Sequence, residues 1–196
     1  GRDHIGPAAS ARLLDLVLMA ARRTKQANAW DAALTYLDVA AELQGDDAWT
    51  TQPERAFGVA LERAEAAYLR GTGDLAAGLA QDLLARDLGR LERVRVLELV
   101  ILIHTARLEY RKALEVGQQA LALLGERLPL SPGAPKLLTE LIRAKVVLKG
   151  RSDETLLNLP RMAEPQKLAI VRVLGLMAAP AYFTELYLLP LIGIRI

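Results

Sequence analysis

The sequence has no cysteine, only two histidines, 5% aromatic residues and no charge of one dominant sign. Without cysteine there is no disulfide framework and no thiolate metal site, and a cytosolic setting fits. The two histidines, His4 and His104, are too few for a zinc site lacking thiolates. With 25 basic against 23 acidic residues the net charge is +2, so nucleic-acid binding is not implied. The basic clusters Arg22-Arg23-Thr24-Lys25 and Arg90, Arg93, Arg95 read as solvated helix faces. Long hydrophobic runs are missing too. The longest, Leu186–Ile196, is broken by Pro190 and falls well short of the roughly 20 residues that span a bilayer, so no membrane partner is expected. Gly1 to Ser10 lacks the charged-then-apolar order of a signal peptide. The apolar end, Leu191 to Ile196, reads as a helix that continues in a longer parent chain, with Pro190 in its first turn.

Catalytic signatures are absent as well. There is no Gly-x-x-x-x-Gly-Lys-Ser/Thr phosphate loop, no His-Glu-x-x-His, no Gly-x-Ser-x-Gly and no kinase catalytic loop. His104 follows Val100-Ile101-Leu102-Ile103 and reads as a packed or groove-facing residue. The carboxylates Glu62, Glu65, Asp82 and Glu98 have arginines nearby and read as surface ion pairs. The expectation is a chain with no catalytic residue, no metal and no cofactor.

What is present is leucine, alanine and valine at helical spacing, in a sequence that is 52% hydrophobic. Leucine and alanine lose little on entering a helix, and the alternation of strands does not occur. The pattern predicts helices over about 9–26, 30–43 (ending at a left-handed Gly45), 51–70 (opened by a Thr51/Glu54 capping box), 74–86, 91–108 and 110–124. A seventh is expected from Pro132, capped by Ser131, to about Gly150, then a turn around Asp153–Leu157. A last complete helix, about Gln166 to Met177, is expected to stop before Pro180. Short joints marked by glycine or asparagine make these antiparallel helical hairpins.

Three segments align. One carries Trp30, Ala33, Leu37 and Ala40; another carries Tyr110, Ala113, Gly117 and Ala120. The middle copy, with Ala76, Ala80 and Leu83, has Gly73 in the aromatic slot. Anchored on Ala33, Ala76 and Ala113, the spacings are 43 and 37 residues. Small residues here are expected to let the second helix of each hairpin approach the first, with the aromatic filling the turn. Trp30 is expected in the core, and Trp49 in a loop packed over the junction of the first two hairpins. Helix pairs of this kind bury their apolar faces only by stacking on neighbours.

The pattern resembles the second helix of tetratricopeptide (TPR) repeats, which reads Gly-x-aromatic-x-x-Ala-x-x-x-aromatic-x-x-Ala. It departs in its period, longer than the usual value of about 34, and in keeping only Tyr68-Leu69-x-Gly71 of the first-helix signature. A second resemblance covers most of the chain. Ala21-Arg22-Arg23-Thr24-Lys25-Gln26-Ala27-Asn28-Ala29-Trp30 through Leu37, Gly45-Asp46-Asp47-Ala48-Trp49, Leu148–Ser152, Leu156–Met162 and Ala179–Phe183 are similar to the helical region of large bacterial signalling proteins. Those proteins join a serine/threonine-kinase-like domain, a predicted AAA/STAND-type ATPase, TPR-like repeats, GAF or PAS sensors and often a histidine kinase.

The fold expected is therefore all-α, a TPR-like α-α superhelix, with three hairpins over 1–127 and further helices of the same array over 128–196. The resemblance implies a non-catalytic, cytoplasmic interaction or signal-coupling module, with the kinase or ATPase activity elsewhere in the parent. Its partner would be a peptide, a neighbouring domain or a small effector held on a concave face, for which Arg22, Glu62, Arg63 and Arg93 are candidates. The alternative is a superhelix sensing a small effector in a STAND-type transcriptional regulator.

Overall fold

The computed structural model describes residues 7–45, 47–148, 162–185 and 187–196. Among them every regular element is helical and none is a strand. The chain forms two compact units, Gly1–Leu88 and Gly89–Ile196.

The first unit holds α1 (Pro7–Gln26), α2 (Trp30–Gln44), the single turn α3 (Ala48–Thr51), α4 (Pro53–Leu69) and α5 (Gly73–Leu84). Helix α2 packs on both α1 and α4, and α4 packs on α5. Leu14 of α1, Ala40 of α2 and Val59 of α4 share one buried cluster, flanked by Val17 and Leu43. Ion pairs give the helix directions. Asp15 meets Arg55 and Lys25 meets Glu62, so α1 and α4 run parallel. Asp38 meets Arg63 and Asp31 meets Arg70, so α2 and α4 run antiparallel.

The second unit holds α6 (Arg90–Ala106), α7 (Tyr110–Leu123), α8 (Ala134–Leu148), α9 (Pro165–Thr184) and α10 (Leu188–Arg195). Helix α9 packs on α6, α7 and α10, whereas α8 packs on α10. Arg90 bonds Gln166 at 3.2 Å and Glu98 accepts from Arg172 at 3.1 Å, so α6 and α9 are parallel. Tyr110 stacks on Phe183 at 4.9 Å, and Gln166 donates to the Leu124 carbonyl at 2.8 Å, so α7 and α9 are antiparallel. Leu138, Leu141, Ile142 and Val146 of α8 remain exposed.

One turn closes three hairpins. The residue two before each second helix has positive φ: Asn28 at 56°, Gly71 at 91° and Leu108 at 60°. The next residue's N–H then reaches back five residues, Ala29 to Thr24, Thr72 to Ala67 and Glu109 to His104, at 2.9–3.0 Å. This bond satisfies a carbonyl that the helix end would leave open. Asparagine and glycine tolerate the conformation; leucine does so at a cost of ~1–2 kcal/mol.

Several boundaries differ from those the sequence suggests. Gly45 has φ 74° with ψ 174°, an extended glycine conformation rather than a left-handed helix cap. Thr51 caps nothing: its hydroxyl donates to the Asp47 carbonyl at 3.0 Å and ends α3. Pro53, whose missing N–H costs nothing in a first turn, opens α4 instead. Ser131 bonds Glu185 at 2.8 Å, and α8 begins only at Ala134. Helix α9 does not stop at Pro180 but runs through it to Thr184. Burial of Pro180, Ala181 and Met177 offsets the ~3 kcal/mol that an interior proline costs. The expected end near Gly150 and the turn at Asp153–Leu157 lie outside the described residues, as do most of the Leu148–Ser152 and Leu156–Met162 stretches.

Candidate functional site

The repeat positions occupy corresponding places in their hairpins, each counted from the same turn. Ala33, Leu37 and Ala40, Ala76, Ala80 and Leu83, and Ala113, Gly117 and Ala120 are all buried. What one of them touches differs from expectation. A Cβ built on Gly117 would lie 2.5 Å from Sδ and 2.6 Å from Cγ of Met177. The glycine therefore admits a side chain of α9. Trp30, expected in the core, is half-buried, as is Tyr110; each stands at the first position of its helix, beside the turn. Trp49 lies on α3, not in a loop, and the Arg86 guanidinium sits 4.0 Å from its ring centroid.

Two of the four groove candidates, Glu62 and Arg63, are tied into helix pairing. Glu62 accepts from Lys25 at 3.2 Å rather than from its neighbour Arg63, which pairs with Asp38. Arg22 is exposed and Arg93 half-buried. His104 is half-buried, with Nδ1 2.6 Å from a Glu109 carboxylate oxygen, while Lys112 reaches the other oxygen at 2.7 Å. The Lys112 bond first, then the His104 bond, lower the Glu109 pKa to about 2. The trio clamps the α6–α7 turn on both sides of Leu108, so His104 serves the hairpin. His4 lies outside the described residues. No group of three or more histidine, aspartate or glutamate side chains able to hold a metal occurs among the described residues.

The second unit also contains a cavity of about 440 Å³ walled by α7, α8, α9 and α10. Its apolar lining comes from Leu121, Ala144, Ile170, Leu174 and Ile194. Its polar lining comes from Glu126, Glu140, Arg143 and Arg195. Glu140 is buried, and Lys136 at 3.1 Å and Arg195 at 3.4 Å hold it. The Lys136 hydrogen bond, outweighing desolvation, lowers the Glu140 pKa, so the carboxylate stays charged. Arg195 also donates to the Arg127 carbonyl at 2.8 Å and lies 3.8 Å from Glu126. Arg143 is exposed and has no ion-pair partner among the described residues. Sequence reasoning missed this site because its lining is drawn from four helices and shares no local spacing.

Helix α9 is, among the described residues, the one helix long and apolar enough to cross a membrane by length and composition. It is also the element on which α6, α7 and α10 pack, and Arg172 in its middle pairs with Glu98. No protein family, no curated protein and no solved structure matches the chain.

Proposed function

We propose that the chain is a non-catalytic interaction module, a stretch of TPR-like α-α superhelix that couples domains of a larger cytoplasmic signalling ATPase or kinase. The observation that carries this reading is the shared wiring of its helices. In each unit a hairpin packs against a further helix parallel to its first member and antiparallel to its second, and three hairpins close with the same turn. Stacked hairpins of this kind offer a row of parallel first helices to a peptide or neighbouring domain. The resemblance of residues 21–37 to the bacterial signalling proteins supplies the signalling context.

The test is to compare the flanking domains of the natural reading frame with and without this segment. The ATPase or kinase rate of the parent should change when the segment is deleted, while the segment alone turns over no ATP. Turnover by the segment alone, or a parent with no nucleotide-binding domain, would sink the reading. The second reading, a superhelix sensing a small effector, is favoured by the α7–α10 cavity, where two arginines and two glutamates converge on an apolar floor. A DNA-binding helix-turn-helix downstream would decide for it.

A further inference from the structure

We infer that the cavity between α7, α8, α9 and α10 is a binding site for a small aliphatic monocarboxylate, its carboxylate on Arg143 and its tail over Leu121, Ile170 and Leu174. The inference rests on the effector-sensing reading of this cavity and names the ligand class. Size comes first: a volume near 440 Å³ falls in the lower part of the range of roughly 300–1,000 Å³ typical of small-molecule sites. Its apolar walls favour a hydrocarbon body. Charge selects the head group. Among the described residues, three cations stand around the cavity, Lys136, Arg143 and Arg195, against two carboxylates, Glu126 and Glu140. Lys136 and Arg195 are already engaged with those carboxylates. The remaining cation, Arg143, presents a planar fork suited to a carboxylate. A single anion therefore balances the site, whereas an amine would add a fourth cation to it. A dianion would exceed the one uncompensated positive charge among the described residues.

Isothermal titration of the whole chain with octanoate, octanol and octylammonium, all below their micellar concentrations, tests the assignment. Octanoate should bind one to one and at least about 10-fold more tightly than octanol, with octylammonium weakest, on the scale of a charge-assisted bond. Arg143→Gln should reduce octanoate binding to the level of octanol and leave octanol unchanged. Ala144→Phe, at a half-buried lining position, should block octanoate and octanol together while the circular dichroism spectrum stays helical. Octanoate binding no tighter than octanol, or unaffected by Arg143→Gln, overturns the ligand class but leaves an effector site. Absence of binding by all three probes to the folded chain overturns both the class and the effector-sensing reading.

Discussion

The two units join their helices in the same sense but by different chemistry. In the first, the second helix of a hairpin meets the following helix through ion pairs, Asp38 with Arg63 and Asp31 with Arg70. In the second, the corresponding helices meet through Tyr110 on Phe183 and through Met177 seated against Gly117. They differ in spacing as well. Residues paired between the parallel helices are 40 and 37 apart in the first unit, but 76 and 74 apart in the second. Helix α8 and its flanking chain occupy the extra length. Which helix follows a hairpin in space is thus set by the fit of its face, not by its order in the chain.

Substitutions can break this comparison at matched positions. Leu37 and Gly117 both stand nine residues after the positive-φ residue of their turn, yet they should respond oppositely to changes of size. Leu37→Ala empties a fully buried position and should cost ~2–5 kcal/mol in denaturant unfolding. Gly117→Ala, adding one methyl against the buried Met177, should cost ~1–3 kcal/mol. A double-mutant cycle with Met177→Ala should return a coupling of ~0.5–3 kcal/mol; additive effects would mean that the two helices do not meet there.

The turns sharpen the comparison on a smaller scale. Leu108→Gly should stabilise by ~1 kcal/mol, because the leucine is exposed and only its backbone is strained. Gly71→Ala should lose about as much, since its Cβ would meet no atom within 4 Å and the penalty is purely backbone. Equal melting temperatures for these variants and the parent would contradict the shared turn. Glu109 adds a pH dependence to the α6–α7 hairpin alone. Its folded pKa, lowered to about 2 from 4.5, means that its contribution is complete above about pH 4.5 and is lost as pH falls towards 2. Glu109→Gln should flatten that part of the stability profile; a profile unchanged by the substitution would remove the clamp. The smallest effect is expected at Arg86→Ala, ~0.5–1 kcal/mol from the contact with Trp49.

How much of this could be read from the sequence depends on whether the determinant is local. The turns at residues 28 and 71 are signalled by asparagine and glycine, residues that tolerate positive φ. The equivalent turn at residue 108 carries leucine and gives no such signal. The small residues at 33, 76 and 113 mark buried helix positions, but whether they face their own hairpin or the next helix depends on partners far away, as Met177 shows for Gly117. Pro180 reads as a stop because its lost hydrogen bond is a local cost, whereas the burial that offsets it is not. Thr51 and Ser131 read as caps, but each hydroxyl bonds elsewhere, one to Asp47 in its own helical turn and the other to Glu185. The cavity joins residues from 121 to 195, and no motif could have brought them together.

The wide spacing between α6 and α9 has a consequence in polymer terms. The entropy of closing a loop grows only with the logarithm of its length, so doubling the separation costs about 0.6 kcal/mol. That is less than one well-packed methyl group contributes. The contact between α6 and α9 can therefore tolerate a whole extra hairpin's length of intervening chain with little loss of stability. The penalty falls on rate instead, since distant contacts form later than near ones. During refolding, α9 should dock after α6 and α7 have paired, while the closely spaced α1, α2 and α4 assemble first.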